Sequence, residues 1–416
     1  MADREEGPTG EHCRACGALL SLVLVDLGAS PLCESFLRPE DLDRVEPTYS
    51  LRPMVCETCF LVQLPAYVPP AEIFTEYAYF SSYSTSWLEH SRAFAERITA
   101  ERDLGPGSLV VELGSNDGYL LRQFVALGIP VLGIEPAANV AEAATAAGVR
   151  TLVRFFDAAL AEELRDQGMA ADLIVANNTL AQIPGLNDAV AGLARLLAPD
   201  GRLSIEVPHL LRLLDEGQFD TIYHEHFSYF SLLALRWILE RHGLVVEDVE
   251  ELPTHGGSLR VIAGHAGAAM EGPRVAALLA AERERGLDTA AGYTGFAARV
   301  ERIKDEVLEF LLAEKRAGRR VVGYGAPGKA NTLLNYAGIR SDLLAYTVDR
   351  NPYKHGRFTP GTRIPILPPE RLSEDRPDVI WILPWNLAPE ISAQLAHRAP
   401  GSRLMVAIPR LTILDR

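Results

Sequence analysis

The stretch from residue 109 to residue 127 limits the fold of this chain more than any other part of it. Residues 109–113 form a short apolar run, which is typical of a strand buried on both faces. Gly114 and Gly118 follow, and we predict a helix over residues 119–127. Glycines allow the backbone to turn sharply and to approach a ligand closely, and the N-terminus of the following helix would face that ligand. This pattern therefore predicts a ligand site at a strand–turn–helix junction.

Glu135 adds a second element to this site. It follows another apolar run, residues 130–134, and stands 21 residues after Gly114. A carboxylate at the end of a second strand can accept both hydrogen bonds of a ribose diol. The pattern therefore predicts a nucleoside-binding site, and the alternative is an ordinary α/β turn without a ligand.

The residues of the turn indicate which nucleoside derivative binds. A dinucleotide fold has the pattern Gly-x-Gly-x-x-Gly, whereas this turn has Glu112-x-Gly114-x-x-x-Gly118. The carboxylates of Glu112 and Asp117 would repel a pyrophosphate and suit a cationic ligand such as S-adenosylmethionine (SAM). The pattern resembles the first motif of the class I SAM-dependent methyltransferases. The residues that we accordingly expect at the cofactor are Glu112, Gly114, Ser115, Asn116, Asp117, Gly118, Glu135 and Pro136.

Strands and helices alternate from residue 109 onward, which predicts an α/β protein with a largely parallel sheet and right-handed crossovers. The candidate strands are residues 109–113, 131–134, 172–176 and 203–207. Residues 245–250 and 257–263 are joined by a Pro/Gly-containing turn and are candidates for an antiparallel pair that closes the sheet.

Two further groups of residues lie where strands end. Asn177 and Asn178 follow the candidate strand at residues 172–176, at the edge where ligands bind in open α/β sheets. Phe155, Phe156 and Asp157 come before that strand, at the end of a further short strand that follows the one at 131–134. An aromatic ring such as that of Phe156 can stack on adenine while Asp157 accepts from its amino group, and the alternative for the phenylalanines is core packing.

The cysteines predict a metal site near the N-terminus. Cys13-x-x-Cys16 and Cys56-x-x-Cys59 are two pairs with the spacing of a four-thiolate zinc site. Such a site is closed, so its role is in folding and not in catalysis. Disulfides are the alternative, although an intracellular chain makes them less favourable. Cys33 has no obvious partner and is expected to be a buried apolar residue.

Length and charge restrict the partners. A chain of 416 residues holds about two or three domains. Its net charge of −15 argues against binding to nucleic acid or to an anionic membrane, but not against a small anionic substrate. We find no apolar segment of membrane-spanning length, and residues 1–11 are polar and acidic. We therefore expect a cytoplasmic protein, and a monomer.

The most informative chemistry lies in the sequence Tyr223-His224-Glu225-His226 and the aromatic residues that follow it. Neutral imidazole is a natural base near pH 7, and a neighbouring carboxylate can orient it. One residue separates the two histidines, which is not the spacing of a helical His-Glu-x-x-His zinc site. A purely structural polar loop is the remaining alternative.

A hydroxyl-rich aromatic segment follows a proline-containing linker at residues 65–70. Tyr77, Tyr79, Ser81 and Tyr83 belong to this segment and could cover a polar ligand. The alternative is a surface loop with aromatic anchors.

The last third of the chain contains a second glycine loop. Gly323-x-Gly325-x-x-Gly328 follows a predicted strand at residues 320–324 and matches the dinucleotide fingerprint in its spacing, with Asp349 after the next predicted strand, residues 343–348. Taken alone, this loop would support a nicotinamide-dependent oxidoreductase that acts on a nucleotide sugar. Pro327 argues against it because it removes an amide from the loop. A helix start of this kind would also suit the pyrophosphate of a nucleotide substrate.

Six motifs in one order carry a resemblance over nearly the whole chain. They are the two cysteine pairs, Phe80-Ser-Ser-Tyr-Ser84, Glu112-Leu-Gly-Ser-Asn-Asp-Gly118, Tyr223-His-Glu-His-Phe-Ser-Tyr-Phe230, His255-Gly-Gly-Ser-Leu-Arg260 and Gly323-Tyr-Gly-Ala-Pro-Gly-Lys329. The chain resembles the sugar C-methyltransferases of antibiotic deoxysugar pathways, which act on dTDP-linked 4-keto-deoxyhexoses, usually at C3. The resemblance implies a zinc-binding domain (1–69), a SAM-dependent methyltransferase domain (70–268) and a Rossmann-like substrate-binding domain (269–416).

The resemblance also implies a mechanism. A base removes the proton beside the ketone, and the resulting enolate attacks the methyl group of SAM. We expect His226 to be the base, with Glu225 supporting it, Tyr223 as a second candidate base or oxyanion donor, and Tyr77 as a further hydroxyl. A non-catalytic scaffold with the same fold is the alternative, and it would not need His226.

Substrate contacts are implied in the same way. The residues concerned are Tyr79, Ser81, Tyr83, Asn178, Gln182, His224, Lys329 and Arg363. Gln182 departs from the family, which commonly has histidine there. Because glutamine can donate a hydrogen bond but cannot take a proton, an acid/base role does not transfer to Gln182. Arg363 is part of a local basic cluster, for which a solvated loop is the alternative.

Overall fold

The computed structural model describes residues 12–74, 81–83 and 85–414. Tyr77 and Tyr79 lie outside the described residues, and so does the side chain of Tyr83. The strands are β1 (Leu22–Val23), β2 (Ala29–Ser30), β3 (Tyr49–Ser50), β4 (Met54–Val55), β5 (Val62–Gln63), β6 (Val110–Leu113), β7 (Val131–Ile134), β8 (Thr151–Leu152), β9 (Ala171–Asn177), β10 (Leu197–Pro208), β11 (Ser228–Tyr229), β12 (Leu244–Leu252), β13 (Ser258–His265), β14 (Val321–Tyr324), β15 (Thr347–Val348), β16 (Ile366–Leu367), β17 (Val379–Ile382), β18 (Arg403–Val406) and β19 (Thr412–Leu414).

Thirteen α-helices are present among the described residues. They are α1 (Pro70–Phe74), α2 (Thr85–Glu101), α3 (Leu121–Ala126), α4 (Ala138–Ala146), α5 (Ala158–Asp166), α6 (Leu186–Leu196), α7 (Leu210–Glu216), α8 (Leu232–Arg241), α9 (Pro273–Glu284), α10 (Phe296–Arg316), α11 (Gly328–Ala337), α12 (Arg371–Asp375) and α13 (Ala388–Arg398). Among the described residues, no helix is both long enough and apolar enough to span a membrane.

The middle of the chain forms a seven-stranded sheet within the described residues, in the order β12-β13-β10-β9-β6-β7-β8. Strands β10, β9, β6, β7 and β8 are parallel, and β13 is antiparallel to both of its neighbours. This confirms the predicted parallel sheet and its antiparallel closing pair. The chain leaves β6 toward β7 and returns to β9 on the other side, so the ligand-binding crevice lies where β6 and β9 end.

Three predicted elements differ in length from the observed ones. The predicted helix at 119–127 is reduced to α3, because Gly118 before it and Gly128 after it both have positive φ angles. The predicted strand at 343–348 is reduced to β15, because residues 340–344 form a turn. Strand β10 begins earlier than predicted and contains a register shift between Leu197 and Arg202.

A strand from the middle of the chain completes the N-terminal sheet. That sheet has the order β1-β4-β5-β11 in the described part of the chain, and β11 comes from the segment that contains His226. Ser228 pairs with Gln63 and Tyr229 with Val62. The Leu64 amide donates to the Phe227 carbonyl at 3.0 Å. The histidine-containing segment is therefore held by the N-terminal domain.

The C-terminal part of the chain forms a second α/β unit. Its sheet has the order β16-β15-β14-β17-β18-β19 among the described residues, and only β19 runs antiparallel. Helix α9, which precedes it, places Val275 and Leu278 in the core of the seven-stranded sheet. This helix thus packs with the middle unit.

Gly114 is needed for its conformation and for its lack of a side chain. Its φ angle is 62°, and a Cβ atom there would lie 2.4 Å from the Thr179 hydroxyl oxygen. That hydroxyl donates to the Leu113 carbonyl at 2.9 Å and so supports the end of β6. The sequence did not indicate this role for Thr179.

Replacing Gly114 with alanine should destabilise the protein more than replacing Gly128. Both positions have positive φ, which costs about 1–2 kcal/mol for alanine. Only Gly114 also has a clash, with Thr179, which should add about 1–3 kcal/mol; nothing lies within 4 Å of a Cβ at Gly128. Urea unfolding of the two variants measures the difference, and equal losses of stability would contradict the account.

Candidate active site

The Glu135 carboxylate holds the cofactor turn in place. It lies at the end of β7, and its oxygens accept from the Asn116 and Ala137 amides, each at 2.9 Å. Burial raises the pKa of this carboxyl. Because a carboxylate oxygen has two acceptor positions, both oxygens can still accept a ribose hydroxyl.

Buried acceptors without hydrogen-bond partners gather around the Gly114 turn. Among the described residues they include both oxygens of Glu112 and one oxygen each of Asp117 and Asn177. Burial raises the pKa of Glu112 well above its usual range, although the nearby Tyr119 hydroxyl opposes the shift. Acceptors of this kind fit a cationic ligand rich in donors, as SAM is. Ser115 instead packs beneath Gly133 of the neighbouring strand.

Residues 81–83 lie across this turn. The Ser81 amide donates to the Asn116 side chain at 2.9 Å, and the Ser82 amide donates to Asp117 at 3.1 Å. Ser81 is buried. The hydroxyl-rich segment thus reaches the turn through its backbone.

The residues after β8 have structural roles. Asp157 caps α5 by accepting from the Leu160 amide at 2.7 Å. Phe156 packs in the core against Gly192 of α6, whereas Phe155 is exposed. Core packing, the alternative reading, therefore holds for Phe156. Contacts of Phe156 and Asp157 with adenine stay a prediction.

His226 has one nitrogen fixed and the other available. Its Nδ1 lies 3.0 Å from the Thr221 carbonyl oxygen. A carbonyl only accepts, so Nδ1 carries the hydrogen and Nε2 keeps its lone pair. Burial lowers the pKa of His226 to about 4; the hydrogen bond to Thr221 opposes this shift, and His255 and Lys329 add to it. The Tyr223 ring lies 4.1 Å from the imidazole, centroid to centroid.

Glu225, which we expected to support His226, hydrogen-bonds a different residue. The Cys33 thiol donates to Glu225 at 3.2 Å, so Glu225 is bonded to the N-terminal domain. Cys33 is buried, as predicted, but it acts as a donor. The group that orients His226 is the Thr221 carbonyl, which no sequence pattern reveals because it is a backbone atom.

His224 is also bonded to the N-terminal domain. Its Nε2 lies 3.2 Å from the Tyr49 carbonyl and 3.1 Å from that of Ser50, and therefore donates to them. Burial lowers the pKa of His224, so the ring is neutral near pH 7. A substrate contact from His224 stays a prediction.

His255 is a site residue that the sequence reasoning missed. It has a φ angle of 54°, its Nε2 lies 3.1 Å from the Asn178 amide nitrogen, and burial lowers its pKa to about 4. The preceding Thr254 donates to the buried carboxylate of Glu206 at 2.8 Å. Burial opposes ionisation of Glu206, but His90 and Arg260 outweigh it and lower this pKa to about 2. The Gly-Gly pair after His255 was the available signal for a special turn.

Lys329 brings a cation from the C-terminal unit toward the two histidines. Its Nζ donates to the Asn386 side chain at 2.9 Å and lies 4.7 Å from the centre of the Trp385 ring, which lies against Gly256, the residue after His255. Its charge lowers the pKa values of both His226 and His255, and we call the surroundings of these three residues the pocket. Burial lowers the pKa of Lys329 itself, and Asp220 opposes that shift.

Two other predicted substrate residues lie in different surroundings. Gln182 ends a short helical turn next to Ala181, whose carbonyl accepts from the Phe227 amide at 2.8 Å. Its side chain is half-buried. Arg363 is exposed and donates to the Leu42 carbonyl at 2.7 Å, so it joins the C-terminal unit to the N-terminal insert. Contacts of both residues with the substrate stay predictions.

The four cysteines fit a structural zinc site. The sulfur atoms of Cys13, Cys16, Cys56 and Cys59 all lie within 4.8 Å of one another, and none of these cysteines forms a disulfide. The Gln63 side-chain amide donates to the Cys13 sulfur at 3.1 Å, as groups that support zinc ligands do. Gln63 belongs to β5, the partner of β11, so the metal site stabilises the sheet that holds the His226 segment.

The glycine loop of the C-terminal unit is filled by the protein itself. Asp349 accepts from the Ala326 amide of this loop at 2.7 Å. The Gly328 amide, at the start of α11, hydrogen-bonds the Glu34 carboxylate, which also lies 3.3 Å from the buried Lys354 ammonium. Because amides of this loop already donate to the carboxylates of Glu34 and Asp349, the loop argues against the nicotinamide-dependent alternative.

The sheet order, the acceptor-lined turn and the acidic residue after β7 define a SAM-dependent methyltransferase. Matches to family models agree along the chain: a zinc binding domain at residues 13–74, a methyltransferase domain at 87–249 and a C-methyltransferase C-terminal domain at 253–409. The chain is 38% identical to C-methyltransferase NovU of Streptomyces niveus over 407 residues, which is 97% of each protein. The chain belongs to the sugar C-methyltransferase family and binds SAM and zinc.

Solved structures give weaker likenesses. Magnesium protoporphyrin IX methyltransferase from Synechocystis PCC 6803, with bound SAM, is 16% identical with a TM-score of 0.33, over 42% of this chain and 78% of that one. The CcbJ methyltransferase from Streptomyces caelestis is 15% identical with a TM-score of 0.33, over 42% and 89%. The family assignment does not rest on them.

The buried, neutral state of His226 should make stability depend on pH. Unfolded histidine binds a proton near pH 6.5, whereas folded His226 does so only near pH 4, so stability should fall as the pH drops between these values. Between pH 7 and pH 5, His226→Asn should lose about 2 kcal/mol less stability than the wild type. Urea unfolding at both pH values measures this, with exposed His397→Asn as the control. Equal pH dependence of wild type and His226→Asn would contradict the account.

Proposed function

We propose that this C-methyltransferase acts on the carbon beside the ketone, C3, of a dTDP-4-keto-deoxyhexose. The product would be a branched deoxysugar for an antibiotic. The observation that carries the proposal is the buried imidazole of His226, whose Nδ1 is bonded to the Thr221 carbonyl and whose Nε2 retains its lone pair. Membership of the sugar C-methyltransferase family supports a sugar as the substrate.

Proton removal is the step that the protein must supply. The C3–H bond breaks, the proton passes to Nε2 of His226, and the electron pair forms an enolate with its charge on O4. Two donors are available to stabilise that oxygen: the Lys329 ammonium, whose charge is felt at His226, and the hydroxyl of Tyr223, whose ring lies 4.1 Å from the imidazole. Burial raises the pKa of Tyr223 well above its usual range, which favours it as a donor over a base.

SAM, when bound, supplies the methyl group that C3 receives. Glu135 would hold its ribose, and the buried acceptor oxygens of Glu112, Asp117 and Asn177 that have no partner among the described residues would face its charged end. The cytoplasmic location, the monomeric state and the domain division at 1–69, 70–268 and 269–416 stay predictions, as do the roles of Tyr77, Tyr79 and Tyr83.

Replacing His226 with asparagine should abolish the chemistry and leave cofactor binding intact. An asparagine amide can still donate to the Thr221 carbonyl, but it cannot take the C3 proton. We expect exchange of that proton in deuterated water and methyl transfer both to fall by about 10²–10⁴-fold. Mass spectrometry of dTDP-4-keto-deoxyhexoses incubated with SAM measures both.

Tyr223→Phe is the matched control for this experiment. It keeps the ring against His226 and removes only the hydroxyl, while Lys329 remains as the other proposed donor to O4, so deuterium exchange at C3 should fall less than in His226→Asn. SAM affinity, measured by calorimetry, should be unchanged in both variants. Normal exchange in His226→Asn would refute His226 as the base, and a wild-type protein that neither exchanges nor methylates any such sugar would refute the proposed substrate class.

A further inference from the structure

Trp385, which follows β17, contacts three parts of the pocket at once. Its indole N–H donates to the Asp220 carboxylate at 2.7 Å. The edge of its ring lies against Gly256, where a Cβ atom would be only 2.1 Å from the ring carbon Cη2. Lys329 lies over its face, 4.7 Å from the ring centre. We call these four residues the Trp385 cluster.

Two residues that Trp385 contacts are adjacent in sequence to residues of the candidate active site. Asp220 precedes Thr221, whose carbonyl fixes the hydrogen of His226 on Nδ1. Gly256 follows His255 at the end of the β12–β13 connection. A shift of the Trp385 ring would therefore move both imidazoles in the pocket as well as Lys329.

The polar contact of the cluster is well protected. Asp220 is 1% exposed, and its second oxygen has no hydrogen-bond partner among the described residues. Trp385 is the group that the structure shows bonded to the first oxygen. Loss of the indole N–H would leave this buried carboxylate without the side-chain donor from the C-terminal unit, so the segment before His226 would have to rearrange.

We propose that Trp385 is a positioning residue that aligns His226 and His255 when the C-terminal unit packs against the methyltransferase unit. The inference rests on the proposed function, because alignment matters through the proton transfer at C3. Trp385 acts through Asp220 and Gly256. It therefore affects turnover without being part of the cofactor turn.

The test replaces Trp385 with phenylalanine, which keeps a ring for Lys329 and Gly256 but removes the N–H donor. We expect kcat for a dTDP-4-keto-deoxyhexose and deuterium exchange at C3 to fall together by about 10-fold or more. SAM affinity should stay within about 2-fold of the wild type, and KM should change less than kcat. Trp237→Phe, on α8 beneath Arg241, is the matched control and should behave as the wild type.

A second variant approaches the same contact from the other side. Gly256→Ala displaces the Trp385 ring without changing the C-terminal unit, and it should lower exchange similarly. The double variant should be little worse than the poorer single one, because both variants break the hydrogen bond from the indole N–H to Asp220. If Trp385→Phe does not fold, deuterium exchange at C3 in Gly256→Ala tests the positioning role instead.

The outcomes separate the inference from the proposed function. The positioning role would be overturned if deuterium exchange at C3 in Trp385→Phe stays within about 2-fold of that in Trp237→Phe. A loss of SAM affinity as large as the loss of kcat would also overturn it. An inactive wild-type protein would refute the proposed function instead. In that case amide hydrogen exchange tests the Trp385 cluster. Trp385→Phe should accelerate amide exchange at both residues 219–226 and 254–258, and no acceleration there would overturn the positioning role of Trp385.

Discussion

The pairing of β11 with β5 is the interaction on which the rest of the site depends. It attaches the segment that contains His226 to the zinc-bearing N-terminal sheet. Neighbouring residues add to this attachment: His224 donates to the backbone of β3, and Glu225 accepts from Cys33. With these residues held by the N-terminal domain, Tyr223 and His226 are left beside each other in the pocket. The zinc domain therefore has a direct part in the geometry of the candidate base.

Charge is distributed unevenly across the site in a way that suits methyl transfer to a carbanion. Unpartnered acceptors surround the Gly114 turn, where a sulfonium cofactor carries positive charge. Burial keeps the imidazoles of His226 and His255 neutral near pH 7, and in the proposed function they and Lys329 would face the developing negative charge of the enolate. Buried, uncompensated groups of this kind cost stability in the free protein and are typical of binding sites.

The sequence predicted those features that depend on local patterns. The strand–glycine–helix pattern at Gly114, the acidic residue Glu135 and the paired cysteines each depend on residue type and spacing, and the structure confirms the sheet and the sulfur cluster that follow from them. The pairing of β11 could not be predicted, because strands of two residues carry no periodicity. The Thr221 carbonyl and the Glu34 carboxylate in the second glycine loop were also hidden, since one is a backbone atom and the other lies far away in sequence.

Amide hydrogen exchange with and without zinc tests the central claim most directly. Removing the metal with a chelator should loosen β5 and therefore β11 and the His226 segment. We predict that peptides covering residues 221–230 then exchange at least about 10-fold faster, while those covering 110–118 change little. If the N-terminal peptides lose protection but residues 221–230 keep theirs, the zinc domain does not hold the candidate base, and the account is wrong.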